Sequence, residues 1–225
     1  MPSRPYVVRQ GDYLDALAHR FGFDAREVWE SADNRALREQ RGAGNVLAPG
    51  DVLQIPATPA PAPRFQSGGT QRYRAHVPTV HIAFVLRGTS GGVSGEPYEI
   101  RGVGQEPIRG STNGEGVVEL DVPITTTSFE LELTRHGVVH PVLVGHLDPI
   151  DLPSGLEARL VHLGYLMPMP SRAYGHFSAD QLVSETERAR QVESAVRNFQ
   201  SDHHIDPTGE LCERTRTALL RAHTS

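Results

Sequence analysis

Pro56-Ala57-Thr58-Pro59-Ala60-Pro61-Ala62-Pro63 alternates proline with small residues, so no helix or central strand can run through it. Proline fixes its own φ and offers no N–H to a helix or a sheet. The stretch reads as an extended spacer, rising about 3 Å per residue. Ser67-Gly68-Gly69-Thr70 follows as a joint. A chain of 225 residues has room for two or three small domains, and this is where the first of them ends. Residues 1–56 are expected to be free of the remainder, with limited proteolysis cutting near Phe65 to Gln71. A large apolar interface between residues 1–56 and the rest would contradict that expectation.

Beyond the linker at 57–76 the hydrophobic period is two. Val80, Ile82, Phe84 and Leu86 share one face, as do Val118, Leu120 and Val122, and Phe129, Leu131 and Leu133. Turn signals at Arg87-Gly88, Ser90-Gly91-Gly92, Thr112-Asn113-Gly114 and His136-Gly137 separate these runs. Residues 77–147 therefore predict a small antiparallel β-sandwich. After Leu147-Asp148-Pro149 the period becomes helical. Leu156, Leu160 and Leu163 form one stripe, and Leu182, Ala189, Val192, Val196 and Phe199 predict a second helix of about twenty residues. Ser178 and Gln181 have the spacing of a capping box, and Gly209 stands before a last helix bearing Ala218, Leu219 and Ala222. The predicted class is multidomain α+β, with the helical part spanning 148–225.

The N-terminal stretch Tyr6-Val7-Val8-Arg9-Gln10-Gly11-Asp12-Tyr13-Leu14 continues through Leu17-Ala18-His19-Arg20-Phe21-Gly22 and closes with Pro49-Gly50-Asp51-Val52-Leu53-Gln54-Ile55-Pro56. It resembles a LysM domain over the whole of residues 1–56. The resemblance implies a βααβ fold and a shallow groove for N-acetylglucosamine units of peptidoglycan or a chitin-like glycan. The candidate groove residues are Gly11, Asp12, Tyr13 and Leu14 on the first turn and Ala32, Asp33 and Asn34 on the second loop. The sequence departs from the family at Tyr13, where threonine is usual, and at Asn34-Arg35, where Asn-Pro is common. Arg35 to Asn45 is also longer than usual, enough for an extra helical turn. Tyr13 either offers its ring to a sugar face, or fills the groove or packs on the extra segment Arg35 to Gly44, and in those cases no sugar binds. A plainer reading makes Gly11 and Asp12 turn-formers, with Leu14, Leu17 and Phe21 as core.

Ala195-Val196-Arg197-Asn198-Phe199-Gln200, Ile205-Asp206-Pro207-Thr208-Gly209-Glu210 and Thr215-Arg216-Thr217-Ala218-Leu219 resemble a three-helix peptidoglycan-binding domain, as does Leu163-Gly164-Tyr165. That family's first Asp-Gly turn is replaced here by Leu166 to His176. The resemblance makes Asp206, Gly209, Glu210, Arg214 and Thr215 candidate glycan residues, although a helix-to-helix turn with its cap demands the same residue types. Glu96-Pro97-Tyr98-Glu99-Ile100 and the glycine-rich run after Ile108 resemble transthyretin-like or carboxypeptidase-regulatory β-modules. The Leu147-Asp148-Pro149 junction, the sandwich and Leu163-Gly164-Tyr165 together resemble wall-binding accessories of contractile injection systems, notably type VI secretion spikes. The implied role is a carrier attached to a spike protein or toxin and able to hold wall glycan. Export by such a machine from the cytoplasm to a periplasm or target wall needs no signal peptide, and none is read before the first strand.

Net charge of -5 with its arginines dispersed gives no footprint for nucleic acid, and no run has the length of a membrane-spanning helix. One cysteine, Cys212, precludes an intrachain disulfide. Of 11 histidines only His203 and His204 are adjacent, without zinc spacing, so neither a metal nor another cofactor is expected. A wall hydrolase would need a nucleophile–base pair, a metal cluster or paired acids in a cleft, and no such pattern emerges. The sequence favours a non-catalytic glycan-binding accessory. The rivals are a protein–protein adaptor that has lost sugar binding and a cell-wall hydrolase.

Overall fold

The computed structural model describes residues 2–57, 68, 70, 77–88, 91–168 and 184–223. Most of the proline spacer, most of the window Phe65 to Gln71, Ser178, Gln181, Leu182 and residues 169–176 lie outside the described residues. The class is mixed α+β, with several small antiparallel sheets. The chain forms two compact units, Met1–Leu147 and Asp148–Ser225.

In the first unit, β1 (Ser3–Val7) pairs antiparallel with β2 (Val52–Pro56), placing Tyr6 opposite Leu53. Between them run α1 (Leu14–Phe21), α2 (Ala25–Glu30), a 3-10 turn at Ala32–Asn34, and α3 (Arg35–Arg41). The long segment after Asn34 thus holds a whole short helix. Gly22 ends α1 in the left-handed region at φ 69°, and its N–H donates to Ala18 O, the usual use of glycine after a helix. The Asp24 side chain caps α2 by accepting from Glu27 N–H at 2.8 Å. Leu14, Leu17, Val28, Leu37, Leu53 and Ile55 form the core of this module. A buried ion pair, Arg41 to Asp51 with two contacts at 2.8 Å, ties α3 to the β2 turn.

The β-module has β3 (Thr79–Val85), a small hairpin of β4 (Arg87–Gly88) and β5 (Gly91–Gly92), then β6 (Pro97–Arg101), β7 (Ile108–Ser111), β8 (Val117–Pro123), β9 (Ser128–Leu133) and β10 (Val138–Leu143). Four strands align in the order β10-β9-β6-β7, while β3 pairs with β8 alone. The period-two residues meet as expected, with Ile82 opposite Leu120 and Phe84 opposite Val118. Ile100, Val118, Val122, Phe129 and Leu131 make a shared core. Two strands cannot cover four, and Tyr13 and Ala16 of the N-terminal module pack into that same cluster. Residues 1–56 are therefore not a free module. The spacer lengthens the covalent path between the modules, but burial of the Tyr13 ring holds them together.

The second unit contains α4 (Pro153–His162), α5 (Glu185–Asp202) and α6 (Glu213–His223), packed around Leu160, Val196, Phe199 and Leu219. The cap of α5 is Ser184, whose hydroxyl accepts from Glu187 N–H at 3.2 Å. Arg159 is 1% exposed, and one of its Nη atoms donates to Asp148 O at 2.7 Å and Gly155 O at 2.9 Å. Burial lowers its pKa. A Cβ at Gly155 would stand 2.0 Å from Pro149 O, so only glycine allows the Asp148–Pro149 entry to lie on α4.

At the far ends of α4 and α6, His162 Nδ1 lies 2.9 Å from His223 Nε2. Burial, then His162, then Arg159 push the His223 pKa down to about 4 from 6.5, and burial also lowers that of His162. The unfolded chain binds these protons near pH 6.5 and the folded unit resists them. Stability is therefore full above 6.5 and falls as pH drops toward 4. After discounting for solvent screening of partly exposed rings, the loss is on the order of 1–2 kcal/mol. Urea unfolding followed by helical circular dichroism should show it between pH 7.5 and 4.5. The His223→Gln variant should lose less stability over that interval; an equal loss would assign the slope to other groups.

Candidate functional site

The turn at Gly11–Leu14 is built for shape. Gly11 has φ 85°, where side chains are strained. Asp12 is buried, accepting from Arg9 N–H at 2.9 Å and from the Tyr6 hydroxyl at 2.7 Å, with Arg20 at 3.2 Å. Burial and then the Asp12 hydrogen bond raise the Tyr6 pKa. The Asp12 carboxylate is thus committed to holding β1, the turn and α1 together. Leu14 N–H donates to Gly44 O at 3.1 Å, and Asn45 donates to the Asp15 carboxylate at 2.8 Å. The loop after α3 therefore closes one side of the turn.

The other side is closed by the chain leaving β10. Tyr13 is 5% exposed, and its hydroxyl donates to Ile124 O at 3.2 Å. Burial raises its pKa, with a further contribution from the Asp15 charge. A Cβ at Gly145 would come within 2.7 Å of both Gly11 O and the Tyr13 ring, and a Cβ at Gly11 would meet the His146 ring at 3.0 Å. Two glycines thus let Val144-Gly145-His146 lie against Gly11 and Tyr13.

The second-loop residues have other partners. Asn34 is buried and clamps β2: its Nδ2 donates to Val28 O at 2.9 Å and Gln54 O at 2.8 Å, and its Oδ1 accepts from Gln54 N–H at 2.8 Å. Asp33 is exposed and accepts from the Ser3 hydroxyl at 2.8 Å, and Ala32 is exposed beside it. The structure therefore ties Gly11–Leu14 to Gly44–Asn45 and Val144–His146, and ties Ala32–Asn34 to the two strands.

In the helical unit, Gln200 is fully buried and organises the candidate residues. Its Nε2 lies within hydrogen-bond reach of Glu210 O at 2.9 Å, Thr215 Oγ1 at 3.0 Å and Thr208 Oγ1 at 3.2 Å. Its Oε1 accepts from Gly209 N–H at 2.9 Å. Arg214 donates to the carbonyl of His204, the residue with φ 55°, at 3.2 Å. Thr215 is buried, while Asp206 and Glu210 are exposed. Cys212 Sγ lies 3.1 Å from Thr215 Oγ1, and that bond first, then backbone bonds, lower its pKa. Gly209, Arg214 and Thr215 thus serve the turn. Gln200 is the organiser that sequence reading missed, and its only signal was a polar residue placed beside Phe199.

Beside this turn lies a groove of about 450 Å³ whose lining includes Leu156, Val192, Val196 and Leu211. Arg188 crosses it, donating to the Glu157 carboxylate at 2.8 Å and to Met167 O at 2.9 Å. A second unforeseen group is Glu96, 2% exposed, with Arg135 at 3.2 Å and His136 at 3.5 Å. Among the described residues no group of three or more His, Cys, Asp or Glu side chains could hold a metal ion, and no helix is long and apolar enough to cross a membrane.

Tyr13→Ala should cost about 3 kcal/mol of stability, as expected when a buried aromatic ring leaves a cavity. Thermal unfolding of the full chain measures it. A change under about 0.5 kcal/mol, typical of surface sites, would mean the ring is not buried in solution. No protein-family model, no curated protein and no solved structure matches the chain.

Proposed function

We propose that this chain is a non-catalytic adaptor, built from wall-binding types of fold and serving a contractile injection apparatus of the type VI kind. The order β1-α1-α2-α3-β2, which is a βααβ order with one added short helix, together with the Gly11-Asp12 turn and the Ile55-Pro56 end, supports a LysM-like origin for the first module. The strands from β3 to β10 are consistent with a transthyretin-like module, and Leu163-Gly164-Tyr165 with the Gln200-centred turn favours a peptidoglycan-binding-like unit. The observation that carries the adaptor reading is the burial of Tyr13 with Val144–His146 against Gly11. A sugar needs the backbone of that turn to be accessible, and here the chain itself occupies it. In this reading Gly11 and Tyr13 join two modules, while Asp12 and Leu14 hold the turn within the first.

A second reading keeps a glycan-carrying role but moves it to the helical unit. The groove beside Gly209 and Leu211 favours it, since apolar walls with an arginine suit a glycan or its peptide stem.

Titration of the full chain with N-acetylglucosamine oligomers separates these readings. The adaptor reading expects no saturable binding to the wild type, and no release of muropeptides from purified wall. Binding lost on Tyr13→Ala would restore the N-terminal groove as the sugar site. Binding lost on Leu211→Glu would place it on the helical unit. Reproducible muropeptide release, abolished by changing one titratable residue, would make the protein a hydrolase.

A further inference from the structure

Among the described residues β10 is an outer strand of the four-stranded sheet with no neighbour beyond it, and that side combines an open backbone with an exposed apolar row. Val144 N–H donates to Thr127 O at 2.9 Å, continuing the β10–β9 register. Bonded and non-bonded pairs alternate along an antiparallel ladder, so Val138, His140 and Val142 turn their backbone groups toward β9. Val139, Pro141 and Leu143 turn theirs outward. Pro141 has no N–H, so the free side offers two donors, at Val139 and Leu143, and three carbonyls. The side chains of these three residues share one face, on which Val139 is 47% and Leu143 57% exposed. Across the register they stand beside Glu132, Glu130 and Ser128. Glu132 pairs with Arg101 at 2.7 Å; among the described residues Glu130, next to Pro141, makes no ion pair.

Deepening the adaptor reading, we infer that β10 is the docking strand for an extended segment of a partner protein, with an arginine or lysine flanked by aliphatic residues at alternate positions. The segment adds to the sheet as a fifth strand. The cationic residue lies opposite Pro141, its alkyl stem over the pyrrolidine ring and its head reaching Glu130. The aliphatic residues on either side cover Val139 and Leu143. Pro141 spoils pairing with a long uniform strand, a usual protection of sheet edges, and restricts the edge to a short segment. The net charge of -5 disfavours a second copy as occupant.

The probe is a capped heptapeptide, Thr-Val-Thr-Arg-Thr-Val-Thr, compared with the same peptide carrying glutamate at its centre. Calorimetry with the full chain should show saturable binding of the arginine peptide, at least tenfold tighter than the glutamate peptide. Amide shifts should centre on Val139 and Leu143. Glu130→Lys should invert the preference, and Leu143→Asp should abolish binding; both residues are exposed, so neither change disturbs the core. Absence of saturable binding, an unchanged preference in Glu130→Lys, or a dimer in light scattering that Leu143→Asp dissolves would each overturn the inference. The outcome is independent of the sugar titration. Sugar binding with peptide binding would fail the adaptor reading alone, and neither binding would fail only the docking strand.

Discussion

The first unit depends on one tyrosine ring crossing from one module into the core of another. A two-strand sheet facing a four-strand sheet leaves apolar side chains without cover, and uncovered apolar area is costly in water. Tyr13 and Ala16 supply the missing cover. The ring's hydroxyl finds Ile124 O, so the burial leaves no polar group unsatisfied. Gly145 then has to be glycine because the chain leaving β10 passes over the same ring.

The helical unit depends instead on buried polar side chains. Gln200 satisfies the turn before α6, and Arg159 satisfies the carbonyls at the entry to α4. Such groups are stable inside only when their hydrogen bonds are made. Both are fixed by several partners at once, and each holds a turn that apolar packing alone would leave undefined.

The elements themselves were legible in the sequence because their causes are local. Alternation predicted β3, β8 and β9, and the stripe from Ala189 to Phe199 predicted α5. What the sequence concealed is long-range. Nothing near Tyr13 says that its ring belongs to another module, because its neighbours Leu14 and Leu17 already make a complete local core. The proline spacer pointed the wrong way, since composition reports the stiffness of a connection and not the affinity of what it connects. Asn34, Thr215 and Arg214 looked like sugar-binding residues, yet a polar side chain serving a turn and one serving a ligand are the same residue type. Only the hydrogen-bond partners separate them.

The contact between Tyr13 and Ile124 spans 111 residues, and this has a consequence during synthesis. At 5 to 20 residues per second, about 6 to 22 seconds separate the emergence of the two partners. During that interval β1, α1, α2 and β2 have everything they need to fold around Leu17 and Leu53. The nascent module nevertheless carries an exposed aromatic ring with nothing to rest on. A ribosome stalled before Val144, or a fragment cut in the spacer, would therefore release a folded but sticky N-terminal piece. Correct maturation of this unit is a docking event that waits for its last strand.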